Sequence, residues 1–307
     1  MIRQSGIKSQ KINMIDKVAV VTGANKGIGY GVVKELCRRG VKTVYLTARD
    51  IKRGTDAVAS LKKEGYNPKF HQLEITDEES IKKFCEFIKQ QHKGIDILIN
   101  NAAVTQDNFN APLYEDAKRV IDVNFHTIIR IEKFIFPLLN DNARVVNVSS
   151  DCGHLSKLKN KYWIERLSRK DLTLEDVEEF VNWFLDSVNN KTLKVEDFKW
   201  NILHAYVVSK IALCAYTWIQ QRKIDRGISI NALHPGFVTT SMTRNCGLLS
   251  VEEASDAPVY LALDADQSLK GKYIWFDKTE KDWYDVDIDI DYVDPDTFQD
   301  FVEKMSA

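Results

Sequence analysis

No apolar run in these 307 residues approaches the roughly 20 that a membrane-crossing helix needs. Neither sign of charge is in excess: 43 Lys and Arg stand against 44 Asp and Glu, a formal net charge of -1. That balance removes the electrostatic case for nucleic acid or an anionic membrane as a partner. Cysteine is sparse and odd in number: Cys37, Cys85, Cys152, Cys214 and Cys246, with no Cys-x-x-Cys pair. This argues against a disulfide framework and a zinc site, and the expected setting is the reducing cytoplasm. The six histidines show no ligand spacing, so no metal is expected. The first residues, MIRQSGIKSQKINMI, lack the apolar core of a secretory signal. Residues 1–15 read as a flexible extension, with Met14 near the domain start. Arg3, Lys8 and Lys11 leave a weak organelle-targeting segment as the other reading.

What is present is alternation. KVAVVT (17–22), TVYLTA (43–48), PKFHQLEI (68–75), IDILIN (95–100) and ARVVNVSS (143–150) read as strands. Between them lie helical segments at about 27–39, near 51–64, and after Asp77, which has the character of an N-cap. Strands alternating with helices imply an α/β fold: a doubly wound parallel sheet covered on both faces, with strands apolar throughout. Two stretches depart from this rhythm. Residues 151–200 are charged and strand-poor and contain TLEDVEEFVNWFLDSV, where Thr173 can cap a helix. Val177, Phe180, Val181, Phe184, Leu185 and Val188 then form one apolar face. Residues 282–307 carry an Asp-x-Asp-x-Asp run that lacks the Gly and closing Glu of a calcium loop, and read as a solvated acidic tail.

The stretch VVTGANKGIG closes the first strand and opens a helix. Glycines permit positive φ and close backbone approach, and a helix N-terminus offers free N–H groups and the positive end of a dipole, so a phosphate could lie here. Tyr206 and Lys210 are four apart in a helical segment, which puts both on one face. Tyrosine has an ordinary pKa near 10. A neighbouring ammonium favours the phenolate and makes such a tyrosine usable as a proton donor and acceptor.

Thr22-Gly23-x-x-x-Gly27-Ile28-Gly29 resembles the cofactor loop of short-chain dehydrogenases/reductases. Asn100-Asn101-Ala102-Ala103 resembles their Asn-Asn-Ala-Gly motif, with Ala103 in place of the Gly. Asn124, Ser149-Ser150, Tyr206-x-x-x-Lys210 and Pro235-Gly236 follow in the family's order, so the resemblance runs over residues 16 to 277. It implies a single Rossmann-type domain over 16–307 and a nicotinamide dinucleotide held by Gly23, Asn25, Lys26, Gly27, Ile28 and Gly29. It also implies a catalytic group of Asn124, Ser150, Tyr206 and Lys210. Ser150 would donate a hydrogen bond to the reacting oxygen, and Asn124 would hold a water linking Lys210 to solvent. Pro235, Gly236, Val238 and Thr240 would hold the carboxamide, and Asn101 would contact the adenosine side. Glu74 stands where many relatives carry an Asp near the adenine.

The position of the family's NAD-selecting Asp is Ala48 here. Arg49 follows at once, Arg53 lies one helical turn on, and Lys26 sits within the loop. Three cations around one pocket suit a 2′-phosphate, so the expected cofactor is NADPH/NADP. Asp50 reads as a helix cap.

Ser150 and Tyr206 lie 56 positions apart, far more than in ordinary members. The long insert resembles the monomeric carbonyl reductases of the family and plant relatives acting on terpenoid and alkaloid ketones. The implied reaction is NADPH-dependent reduction of aldehydes, ketones or quinones. A reductase dedicated to one steroid-like, hormone or terpenoid ketone is the alternative, and a non-catalytic nucleotide sensor is a third reading. Asp151, Cys152, Phe237 and Met242 fall where residues facing the small-molecule substrate would be. Family members commonly dimerise through the Tyr-x-x-x-Lys helix and the helix before strand five. An insert helix covering that surface implies a monomer.

Overall fold

The computed structural model describes residues 15–109 and 112–306. The extension expected over residues 1–15 thus lies, but for Ile15, outside the described residues. The chain alternates through β1 (Ile15–Val21), α1 (Gly27–Arg38), β2 (Val41–Ala48), α2 (Ile51–Lys63), β3 (Lys69–Gln72), α3 (Glu78–Gln91) and β4 (Ile95–Asn100). Next come α4 (Tyr114–Ile121), α5 (Thr127–Ile135) and β5 (Leu139–Val148), followed by α6 (Lys161–Leu167), α7 (Leu174–Asn189) and α8 (His204–Lys223). The remainder is β6 (Ser229–Leu233), α9 (Val251–Ala254), α10 (Asp256–Leu263), β7 (Tyr273–Ile274), β8 (Glu280–Lys281) and α11 (Pro295–Ser306).

Among the described residues one sheet of eight strands runs β3-β2-β1-β4-β5-β6-β7-β8. All pairs are parallel except β7 with β8. Strand order reverses between β1 and β4, which leaves a crevice at their C-terminal ends. Apolar residues of α1, α2 and α10 cover one face of the sheet. Those of α3, α4, α5, α7 and α8 cover the other. This is the doubly wound α/β fold that the alternation implies. β3 is shorter than the expected 68–75, because the chain turns after Leu73: the Ser80 hydroxyl accepts from Glu74 N and the Glu74 carboxylate accepts from Thr76 N.

Helix α8 is held on the sheet by a buried polar network. Asn100 donates to Asn147, whose amide donates to Thr217 (2.9 Å) and Gln220 (3.0 Å) on α8. Buried amides left unpaired cost more than they return when paired, so this network specifies one seating for the helix. Thr173 and Asp176 form a reciprocal capping box at the start of α7. The predicted face of α7 is buried against α4 and α8.

The acidic segment departs from expectation. It is not a solvated tail. Asp285, Asp287 and Asp289 face water, but the residues between them point inward: Val286 and Ile288 are partly buried and Ile290 is buried. Trp283 is fully buried and donates its Nε1–H to Gly153 O at 2.6 Å. Asp291 pairs with Lys157 (2.5 Å) and Lys199 (2.9 Å). The segment runs through successive turns, Asp285 N bonding Asp282 O and Ile288 N bonding Asp285 O, with the aspartates outward and the apolar residues inward.

Candidate active site

A cleft of about 930 Å³ opens at the C-terminal ends of the central strands. At one end is the glycine loop. Gly23 has φ +62°, and a Cβ there would stand 2.8 Å from Ala102 Cα. The Thr22 hydroxyl accepts from Asn101 N and Ala102 N, and the Asn101 amide donates to Thr22 O (2.9 Å) and Gly23 O (3.2 Å). Asn101 lines the cleft, but its amide hydrogens hold the loop rather than face an adenosine. Gly29 lets that amide in: a Cβ at Gly29 would meet Asn101 Nδ2 at 2.5 Å.

Helix α1 begins at Gly27 with no side-chain cap and no acid in its first turn. Its free N–H groups therefore stand ready for an anion. Asn25 and Ile28 line the cleft beside them, and Lys26 Nζ donates to Ser241 at 2.9 Å. Arg49 and Arg53 are exposed at the rim, and neither guanidinium forms an ion pair among the described residues. Asp50 caps α2, accepting from Arg53 N at 2.8 Å. The Glu74 carboxylate is taken up by Thr76 N and Oγ1, though the residue lines the cleft. Pro235, Gly236, Val238 and Thr240 form the facing side.

At the other end lie Ser150, Tyr206 and Lys210. Lys210 is buried, donates to Val148 O at 2.9 Å, and sits 5.6 Å from the Tyr206 ring centre. Burial lowers its pKa to about 8. Burial pushes the Tyr206 phenol well above its ordinary value, with Cys152 and Asp151 adding to this, while its hydrogen bond with Ser150 opposes it. Without a cofactor in the cleft, desolvation therefore favours the neutral phenol of Tyr206.

Asn124 lies in a π-helical turn (Asp122–His126) between α4 and α5. Such turns free main-chain groups and recur at functional sites. Its amide donates to Val104 O and Ser209 Oγ, both 2.9 Å, and its Oδ1 accepts from Val104 N. The side chain therefore ties the loop after β4 to α8.

Asp151, Cys152, Phe237 and Met242 all line the cleft. The wall also uses residues that sequence reasoning missed: Trp200, Tyr292, Phe298 and Phe301. Phe301 packs on Phe109 (5.8 Å between ring centres) and Phe237 (5.2 Å), and Phe298 on Trp200 (5.2 Å). The alternation of Asp with Val and Ile before Tyr292 was the available signal. His234, taken as a scattered single, is buried between three segments. Its Nδ1 accepts from Asp151 N at 2.8 Å, which leaves Nε2–H to donate to Tyr292 at 3.0 Å. Tyr273 donates to Ser150 O at 2.8 Å, so the turn carrying Ser150 is fixed from two sides.

A family model described as short chain dehydrogenase matches residues 17–161. Carbonyl reductase (NADPH) 3 of Rattus norvegicus is 37% identical over 256 residues, spanning 80% of this chain and 91% of its own. The (+)-neomenthol dehydrogenase of Arabidopsis thaliana is 36% identical over 273 residues, with the same two shares. Among solved structures, salutaridine reductase from Papaver somniferum superimposes with a TM-score of 0.78 at 30% identity, covering 84% of this chain and 99% of that one.

Proposed function

Starting from the fact that this chain belongs to the short-chain dehydrogenase/reductase family, and is an enzyme of it, we propose that it reduces aldehydes, ketones or quinones to alcohols with NADPH. The observation that carries this reading is the two-ended cleft. One end offers an uncapped helix N-terminus and two arginines without an ion pair among the described residues; the other holds the partly buried Tyr206 over the buried Lys210, with Ser150 beside the tyrosine.

The residues fit an NADPH. The glycine loop and the first turn of α1 would hold its pyrophosphate, Arg49 and Arg53 its 2′-phosphate, and the segment from Pro235 to Thr240 its carboxamide. When bound, the cofactor supplies the hydride. Tyr206, kept protonated by burial, gives its proton to the carbonyl oxygen. The Lys210 ammonium stabilises the phenolate left behind. Ser150 orients the oxygen. Asn124 holds the loop after β4 against α8 and so keeps that geometry.

Loss of nicotinamide absorbance with a panel of quinones, aldehydes and bulky ketones, run with NADPH and with NADH, tests the reading. Turnover favouring NADPH supports it. No turnover with any carbonyl, with the nucleotide still bound, replaces it with a nucleotide-binding role.

The enzyme works as a monomer in this reading. Helix α7 lies on α8 and α4, and 15 of the 20 residues of α8 are buried within the one chain. The cover that α7 gives to α8, one of the two helices through which relatives pair, supports this reading. Light scattering at micromolar concentration should give a mass near 35.2 kDa. A stable species of twice that mass or more contradicts the covering role.

A further inference from the structure

Five acids line the cleft: Asp50, Glu74, Asp122, Asp151 and Asp291. Four of them are accounted for. Asp50 and Glu74 accept from main-chain N–H groups at the cofactor end. Asp122 pairs with Arg130 at 2.7 Å, and Asp291 with Lys157 and Lys199. Asp151 differs. Its side chain is 18% exposed, beside Ser150 in the substrate half. No cation pairs with it among the described residues. Its basic neighbour, His234, stands 3.8 Å away and points an accepting Nδ1 at the Asp151 main chain, with burial holding its pKa down to about 4. Arg119, which also lines the cleft, is taken by Asp107, Asp116 and Thr105 O, and Lys210 donates to Val148 O.

Asp151 also holds the Ser150 hydroxyl, whose hydrogen is donated to Oδ1 at 2.8 Å. Ser150 has one hydroxyl hydrogen. While Asp151 takes it, that hydrogen is not directed at a carbonyl oxygen. A negative charge one residue from the reacting centre also opposes the oxyanion and phenolate that form there. A cation in contact with Asp151 relieves both effects: it supplies the missing counter-charge and weakens the pull on the Ser150 hydroxyl.

We propose that Asp151 is the specificity-determining residue of this cleft and selects carbonyl compounds that carry a positive charge close to the carbonyl. The inference rests on the carbonyl-reductase reading above. Uncharged substrates meet an unpaired carboxylate beside Ser150, and anionic ones meet repulsion.

The test uses isosteric pairs: meta- and para-trimethylammonio-benzaldehyde against the matching tert-butylbenzaldehydes, with carboxybenzaldehydes as the anionic arm. The readout is how the cation-to-neutral ratio of kcat/KM changes between wild type and Asp151→Asn. Asn keeps the size and an acceptor for Ser150 and removes the charge. Comparing the ratios cancels the intrinsic reactivity of each aldehyde. The ratio should fall by about tenfold in the variant, the scale of one partly screened charge pair, and the anionic substrates should improve. An unchanged ratio overturns the proposal, as does an equal loss on all three classes, which marks Asp151 as a positioning residue for Ser150 alone. If D151N does not fold, the wild type decides: a preference for the carboxybenzaldehydes over the trimethylammonio compounds refutes it. If wild type reduces none of the aldehydes with NADPH, the carbonyl-reductase reading fails rather than the role of Asp151.

Discussion

Tyr206→Phe should fold, bind NADPH as the parent does, and lose carbonyl reduction by about 10²–10⁴ in kcat, the usual contribution of a positioned general acid. The substitution removes one oxygen and keeps the ring. In the protein that oxygen faces the cleft beside Ser150, whereas the helix carrying it is seated through Asn147, Thr217 and Gln220, well away from the change. The loss should therefore fall on kcat, with cofactor affinity by fluorescence titration unchanged. A variant turning over at near the parent rate would show that another group delivers the proton.

Replacing Arg49 and Arg53 together with Ala should weaken NADPH and leave NADH close to its starting affinity. Neither guanidinium makes an ion pair within the described residues, so removing both leaves no buried partner stranded. A hydrogen bond to a charged group is worth roughly 1.5–3 kcal/mol, or about ten- to hundredfold per arginine. Their exposure places the effect toward the lower end. Equal losses for both nucleotides would mean that the arginines act on the loop and not on a 2′-phosphate.

The glycine-loop end of the cleft was legible in the sequence, because it depends on local rules. Gly23 sits at positive φ where the chain leaves β1, and Gly29 leaves room for Asn101. The Tyr206–Lys210 spacing is a property of a single helix. The substrate half depends on contacts between distant segments. Phe301 meets Phe109 across 192 positions, and no periodicity within either segment announces the meeting. The acidic run was misread because charge was weighed above alternation: Asp285, Asp287 and Asp289 face water, while Val286, Ile288 and Ile290 between and beside them carry the packing. The sequence places an ammonium four residues from Tyr206 but is silent on desolvation, which raises the phenol's pKa in the cofactor-free cleft.

The two halves of the cleft also differ in what a mutation would cost the organism that carries it. The glycine loop and Lys210 belong to the sheet and its crossing helices, so changes there threaten the fold itself. Phe298 and Phe301 sit on α11, outside the sheet, and pack on Trp200, Phe109 and Phe237. Replacing such a ring reshapes that wall of the cleft while the sheet and the Tyr206–Lys210 helix stay intact, so the wall is free to drift in sequence where the frame beneath it is not.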